Sequence, residues 1–224
     1  MEASQIKQIR NLGIIRRSAE LDNISSAENV VEGTAVVFNQ RTLIGGYFYE
    51  EIAPSAFESC DMDDVKMLYN HDDSKVIARQ NIKRPARNTM QISIDEKGLH
   101  FRSELAVDKD PDAQSAYSKV SRGDVDQCSF GFTVSKDEWR DMDKPIPTRK
   151  ILGIGKLYEV SLVAFPAYST TTANARSGDG SVDTDQLAVD TARATYVDAE
   201  KRAKAESELQ LAKAKLKLKL NIKI

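Results

Sequence analysis

The chain is poor in the residues that build disulfide frameworks and metal sites. Its 224 residues include two cysteines, Cys60 and Cys128, and two histidines, His71 and His100. Two cysteines are too few for a disulfide framework, and they fit a reducing compartment. With only two histidines beside them we expect no metal cluster. The sequence also predicts no cofactor.

Long apolar runs are absent as well. No segment approaches the roughly 18 consecutive apolar residues that cross a bilayer, and the N-terminus carries no apolar stretch typical of a signal peptide. We therefore expect a protein that is neither membrane-embedded nor secreted. Hydrophobic residues make up 41% of the chain and charged residues 29%, which is a globular balance. The length suits one domain with tails.

The charge is distributed unevenly along the chain. The formal net charge is −2, and residues 201–224 contain eight Lys or Arg and two Glu, so this end carries 8 − 2 = +6 and residues 1–200 carry −2 − 6 = −8. An acidic body with a basic end indicates a folded domain and an interaction tail, and it does not predict a nucleic-acid-binding domain. A solvated charged helix end is the alternative interpretation of the tail.

Residues 30–165 form a series of short, β-branched apolar runs separated by turn residues, which predicts a β-rich core. Alternation before and after the turn at residues 96–98 predicts a hairpin. Helices are predicted over 53–60 and over 111–122, the second capped by Asp110 and ended by Gly123. The fold class is therefore α+β and β-rich. The predicted strands are 34–38, 90–94, 99–101, 129–134 and 157–163.

Composition changes after residue 172 and divides the chain. We predict a domain over residues 1–175, a flexible Gly- and Ser-containing linker over 176–183, and a charged C-terminal tail over 184–224. Residues 184–212 favour a helix, whereas apolar and polar residues alternate from 214 to 224 as in a strand. Because propensity and pattern conflict, we expect a tail that is helical or becomes ordered on binding a partner.

Ser129 and Cys128 are the candidate nucleophiles, and each would need a histidine as its general base. His71 stands where an apolar run meets a polar turn, which is a suitable position for a catalytic base, although a lone histidine is more often a surface turn residue. His100 lies within a strand pattern and is expected to be structural. Ser129 and Cys128 are adjacent in a predicted strand, so only one of them can face His71. Glu159 lies among apolar residues and needs a cationic or hydrogen-bonding partner, either His71 or an Arg or Lys.

Six segments in this order closely resemble the caudovirus prohead serine proteases. They are AVVF (35–38), FYEEIAPSAF (48–57), LYNHD (68–72), DEKGL (95–99), RGDVDQCSFGF (122–132) and EVSLVAFPAY (159–168). The resemblance covers about residues 30–176. It implies a fold related to herpesvirus assemblin, a β-barrel surrounded by a few helices, and a catalytic triad of His71, Ser129 and Glu159.

The resemblance also implies a biological setting. The substrates would be the scaffold protein, or a scaffolding segment of the major capsid protein, and the enzyme itself, inside the assembling procapsid in the host cytoplasm. For the oxyanion hole we expect the backbone N–H groups of Ala167 and Tyr168. Partners other than capsid and scaffold proteins, such as nucleic acid or membrane, are not predicted, and a homo-oligomer is left open. The alternatives are a catalytically silent scaffolding or assembly protein and a cysteine hydrolase that uses Cys128.

Overall fold

The computed structural model describes residues 14–20, 25–27, 29–164 and 184–221. These residues form eleven strands, two α-helices and two short 3-10 turns. The strands are β1 (Ile15–Glu20), β2 (Ser25–Ala27), β3 (Val30–Val37), β4 (Thr42–Ile44), β5 (Phe48–Ile52), β6 (Asp64–Tyr69), β7 (Asp72–Asn81), β8 (Met90–Ile94), β9 (Gly98–Glu104), β10 (Gln127–Arg140) and β11 (Thr148–Val163), and the helices are α1 (Pro111–Ser121) and α2 (Thr184–Asn221).

The strands form one sheet of seven and one of four. The larger sheet has the order β1-β10-β11-β5-β4, and β6 pairs with β11 and with β7. The smaller sheet has the order β2-β3-β9-β8. The fold is therefore α+β and strand-rich, as predicted. Within the described residues both sheets are open, so the predicted closed barrel is not observed.

The two long strands β10 and β11 form the centre of the larger sheet. They pair antiparallel from Gln127 opposite Val163 to Arg140 opposite Thr148, with several register shifts. One core joins residues of both sheets with α1. Burying apolar side chains on each sheet is the main stabilising contribution to such a layered fold. The largest fully buried members of this core are Phe132, Met67, Met90, Leu99, Ile151, Ile154, Leu157, Leu162, Val31 and Val36.

Most of the predicted elements agree with the structure. The hairpin is confirmed, because β8 and β9 pair antiparallel from Met90 opposite Ser103 to Ile94 opposite Leu99. The second helix is confirmed as α1. Its Asp110 side chain accepts a hydrogen bond from the Asp112 N–H, as expected of an N-cap residue. After it, Gly123 has a φ of 75°, a left-handed conformation that glycine adopts readily.

Two predicted elements differ from the structure. Of the helix predicted over 53–60, only a 3-10 turn at Pro54–Phe57 is formed. The segment is too short for a stable helix, since a helix becomes favourable only after several turns. At the other end, α2 continues to Asn221 through the region where alternation suggested a strand. A strand must pair its backbone groups with a neighbouring strand, whereas a helix pairs its own.

The first part of α2 packs against the larger sheet. Asp185 forms a 2.9 Å ion pair with Arg17 of β1, and Val189 is buried together with Ile44 and Phe48. The side chains from residue 194 to residue 216 are exposed. In the described part of the chain, no helix is long and apolar enough to cross a membrane.

Arg17 is at the centre of the ionic contacts under α2. Its guanidinium also pairs with Glu50 of β5 at 2.7 Å, and Glu50 pairs in turn with Arg149 at 3.4 Å. Burial alone would lower the pKa of Arg17, but the carboxylates of Glu50 and Asp185 outweigh it and hold the pKa above its usual value. These charges therefore connect β1, β5, β11 and the start of α2.

Candidate active site

Three neighbouring strands position the predicted catalytic residues. Ser129 lies on β10 and Glu159 on β11, and β6 runs parallel to β11 along its other edge, with Lys66 beside Glu159 and Tyr69 beside Leu162. The chain leaves β6 at Tyr69 and turns back into β7. This topology brings the turn after β6 next to the end of β11.

His71 is held in a two-residue hairpin turn between β6 and β7. Asn70 and His71 have φ values of 54° and 59°. Left-handed φ at both central residues is the signature of a type I′ turn, and Asn and His tolerate this conformation better than most residues do. The turn is tied to the chain beside it, because the Asn70 N–H donates to the Leu162 carbonyl at 2.9 Å and the Asn70 Oδ1 accepts from the Ala164 N–H at 3.1 Å.

The imidazole of His71 contacts the carboxylate of Glu159. The distance from His71 Nδ1 to Glu159 Oε1 is 2.8 Å. An ionised carboxylate can only accept, so Nδ1 carries the hydrogen, and in the neutral ring Nε2 is left free to accept a proton. The side chain of Glu159 is 5% exposed and that of His71 is 21% exposed. The pair therefore has its acid buried and its base at the boundary with solvent.

Glu159 receives two further hydrogen bonds. Arg16 Nε of β1 donates to the same Oε1 atom at 3.1 Å, and the hydroxyl of Ser161 donates to Oε2. Burial alone would raise the pKa of the Glu159 carboxyl, but the hydrogen bonds from His71, Ser161 and Arg16 outweigh it and hold the pKa below its ordinary value. Glu159 is therefore ionised at neutral pH.

Ser129 lies on the same face of the sheet as this carboxylate. Ser129 pairs with Ser161, and Gly131 with Glu159, across β10 and β11. Paired residues of antiparallel strands share a face, as do residues two apart on one strand. Ser129 has no exposed surface, and its hydroxyl donates to the backbone carbonyl of Arg17 at 2.9 Å. The structure thus joins His71 to Glu159 and turns the Ser129 hydroxyl toward β1.

One comparison with known proteins identifies the family of this chain. A family model for caudovirus prohead serine proteases matches residues 15–183, which is most of the chain. The chain belongs to this family. The family consists of serine proteases of capsid maturation in tailed bacteriophages, so the protein has a protease role inside the phage prohead. No curated protein and no solved structure matches the chain.

In this prohead protease the thiol next to Ser129 faces the core. Cys128 is fully buried, and its Sγ lies 3.6 Å from the Thr34 carbonyl oxygen. Burial raises the pKa of the Cys128 thiol well above its usual value, which disfavours the reactive thiolate. The other thiol, Cys60, also has its pKa raised by burial, to about 11. The structure therefore gives no support to a cysteine hydrolase that uses Cys128.

The second histidine belongs to the smaller sheet. His100 lies on β9, and its two ring nitrogens contact Thr34 Oγ1 and Asp95 Oδ1, both at 2.9 Å. With both nitrogens engaged, His100 has a structural setting, as expected from its strand pattern. Asp72, which follows His71, accepts a hydrogen bond from Ser74 and pairs with Lys75 at 2.8 Å.

The sequence left an Arg or Lys open as a partner of Glu159 but did not identify Arg16, and it did not predict the contact of Ser161. Arg16 becomes a neighbour of Glu159 only through the pairing of β1 with β10, so no local signal marks it. Ser161 could have been found, because it lies two residues after Glu159 on a strand and must share its face. The predicted oxyanion-hole residues, Ala167 and Tyr168, lie outside the described residues.

Proposed function

We propose that this prohead protease is a serine endopeptidase in which Ser129 is the nucleophile, His71 its general base and Glu159 the residue that orients the base. The observation that carries the proposal is the 2.8 Å contact between His71 Nδ1 and the buried carboxylate of Glu159. A serine on the same face of the next strand completes the set of groups that acyl transfer needs.

The roles follow from the chemistry of the three groups. His71 Nε2 takes the Ser129 proton while Oγ attacks the scissile carbonyl, and it returns that proton to the leaving amine as the peptide bond breaks. Water then attacks the acyl-enzyme, again with His71 as the base, and the serine is restored. Throughout, Glu159 holds the tautomer of His71 and stabilises the imidazolium. Backbone N–H groups of Ala167 and Tyr168 are the proposed oxyanion donors.

The described arrangement is a resting state in this scheme. The Ser129 hydroxyl is bonded to the Arg17 carbonyl, and it must give up this hydrogen bond before it can pass its proton to His71. Ser129 is also buried, so the surface over it has to open before a peptide can enter. Catalytic hydrogen bonds often tighten only when substrate is bound, and an enzyme that is packaged before it acts benefits from a quiet resting state.

We further propose the substrates. The enzyme cuts the scaffold protein or the scaffolding segment of the major capsid protein, and it cuts itself within about residues 173–184 during procapsid maturation. The basic end of the tail holds it to an acidic surface of one of these proteins until then, because exposed charges of opposite sign attract over about 10 Å at 0.1 M salt.

The decisive experiment replaces the nucleophile. Purified protease is mixed with its major capsid and scaffold proteins, and the products are followed by intact mass. Ser129→Ala is expected to abolish every cleavage while the protein stays folded, because it removes a hydroxyl and little packing. Ser103→Ala is the matched control, since Ser103 is also fully buried on a strand but in the other sheet. If Ser129→Ala still processes the capsid or scaffold protein, Ser129 is not the nucleophile.

The alternative is a catalytically silent scaffolding or assembly protein. It is favoured by the Ser129 hydroxyl, which is bonded to backbone and buried in the described arrangement. In that case the unmodified protease leaves capsid and scaffold proteins intact in the same assay, yet binds them. Cleavage by the unmodified chain together with its loss in Ser129→Ala excludes this alternative.

A further inference from the structure

Ser161 makes a contact with the proposed site that the catalytic triad does not account for. Its hydroxyl donates to Oε2 of Glu159, while Oε1 of the same carboxylate accepts from His71 and from Arg16. Ser161 has no exposed surface. The two oxygens of the Glu159 carboxylate therefore have different donors. Oε1 accepts from His71 and Arg16, and Oε2 accepts from Ser161.

The two donors on Oε1 compete for the position of the carboxylate. Arg16 is the more exposed of them, with 45% of its side chain accessible to solvent, and it lies on the edge strand β1. A glutamate has three rotatable bonds, so attraction to a guanidinium can draw its carboxylate away from the imidazole. A hydrogen bond on Oε2 from a rigid strand residue opposes that movement.

Gly131 supplies the space in which the carboxylate lies. A Cβ at Gly131 would come within 2.8 Å of Glu159 Oε1 and 2.9 Å of its Cγ. These distances are too short for real contacts, so any other residue at this position would displace the Glu159 side chain. The Glu159 carboxylate thus packs against β10 at Gly131, and its Oε2 atom is held by Ser161.

We propose that Ser161 is a positioning residue of this protease, which holds Oε2 of Glu159 so that Oε1 remains aligned with His71 Nδ1. This inference rests on the proposed function, in which Glu159 orients the base. Ser161 acts through Glu159 and is not a second nucleophile. Its hydroxyl is directed at an acceptor-only carboxylate, and the contact of His71 is with the other oxygen.

The test is a double-mutant cycle on the rate of capsid or scaffold cleavage. Ser161→Ala is expected to lower kcat roughly tenfold or more with KM changed less than about twofold, because a hydrogen bond to a charged group is lost away from the substrate. In the Glu159→Gln background the same change should lower kcat by less than about twofold, since residues that act as one unit are not additive. Ser161→Thr, which keeps the hydroxyl, should recover most of the loss.

Folding and packing are controlled separately. Ser103→Ala, which changes a fully buried strand serine of the smaller sheet, should leave kcat unchanged. If Ser161→Ala does not fold by circular dichroism, Ser161→Cys takes its place in the cycle, because it keeps the volume with a much weaker donor. A merely structural role would lower stability to a similar extent in both backgrounds and would leave the kcat of the folded enzyme unchanged.

The outcomes separate this inference from the proposed function. Unchanged kcat in Ser161→Ala, or an equal loss with and without Glu159, overturns the positioning role while Ser129→Ala and Glu159→Gln still report on the triad. Complete loss in Ser161→Ala with activity retained in Ser129→Ala would make Ser161 the nucleophile and would overturn both. Loss in Ser161→Ala only when Glu159 is present, with recovery by Ser161→Thr, supports the inference.

Discussion

Glu159 collects hydrogen bonds from three separate parts of the chain. His71 comes from the turn after β6, Arg16 from the edge strand β1, and Ser161 from the same strand as Glu159. These three hydrogen bonds together outweigh the cost of burying the ionised carboxylate. Replacing Glu159 should therefore change both the rate of cleavage and the dependence of stability on pH.

Replacing Glu159 by Gln should reduce catalysis without unfolding the protein. The amide keeps the shape but stabilises an imidazolium poorly and can select the wrong tautomer of His71, and the analogous change in a serine-protease triad lowers the rate by about 10,000-fold. Single-turnover cleavage of the capsid or scaffold substrate measures the effect, with the exposed Glu104→Gln as control. Activity within a few-fold of the unmodified enzyme would assign Glu159 a structural role, or leave the orientation of His71 to another acid such as Asp72.

The same carboxylate should make stability depend on pH. The pKa of Glu159 is lower in the folded protein than its ordinary value of 4.5, so the unfolded chain binds its proton more readily. The stabilisation is therefore fully present above pH 4.5 and is lost as the pH falls through the lower, folded pKa. Denaturant unfolding at pH 7, 5 and 3 measures the free energy of unfolding of the unmodified protein and of Glu159→Gln. The difference between these two free energies should narrow toward pH 3. A difference that stays constant over this range would contradict the lowered pKa.

At the scale of elements, the hairpin of β6 and β7 positions His71 in its turn. Its turn places two non-glycine residues in the left-handed region, and strain of this kind persists only where the surroundings hold it in place. Here the holding contacts are those of Asn70 with the backbone of Leu162 and Ala164. The turn and the end of β11 therefore behave as one unit, and the position of His71 depends on it.

Asn70→Ala should weaken this unit. Alanine is less tolerant of left-handed backbone than Asn and removes the acceptor for the Ala164 N–H, so we expect the free energy of unfolding to fall by about 1–2 kcal/mol. Cleavage should slow as well, because His71 is no longer held against Glu159. Asn70→Gly is the matched control, since glycine adopts the turn but lacks the amide. If Asn70→Ala is as stable and as active as the unmodified protein, the turn does not position His71.

At the scale of the whole molecule, α2 has two parts with different surroundings. Its first turns contribute Asp185, which pairs with Arg17, and Val189, which is buried against Ile44 and Phe48. From residue 194 to residue 216 its side chains are exposed. A tether to scaffold or capsid protein would therefore use the second part, and the first part would keep it attached to the sheet.

Two truncations separate these parts. Removing residues 184–224 should lower Tm by about 5 °C or more, because buried apolar contacts and a partner of Arg17 are lost. Removing residues 200–224 should leave Tm within about 2 °C yet reduce incorporation into proheads, and capture of the unmodified protein by capsid or scaffold should weaken at high salt. If the protein that lacks residues 200–224 is still incorporated into proheads at normal copy number, the basic end is not a tether.

The sequence by itself determined those features that depend on neighbours along the chain. The alternation around residues 96–98 was sufficient for the β8–β9 hairpin, and Asp110 with Gly123 was sufficient for α1, because turns and caps are settled by a few adjacent residues. The order of the six motif segments was sufficient for the family, and the separation of Cys128 from Ser129 followed from strand alternation alone.

Only the tertiary structure decided that Arg16 meets Glu159 and that the first turns of the tail pack on the sheet. Arg16 and Glu159 are 143 positions apart, and their contact exists because β1 pairs with β10 in one particular register. The direction of the Ser129 hydroxyl, toward Arg17 and not toward His71, is set by the same edge strand. Likewise, α2 rests on the sheet through the ion pair of Asp185 with Arg17 and through the apolar cluster of Val189 with Ile44 and Phe48. Strand pairing between distant segments and the burial it creates are properties of the packed molecule, which local sequence patterns do not encode.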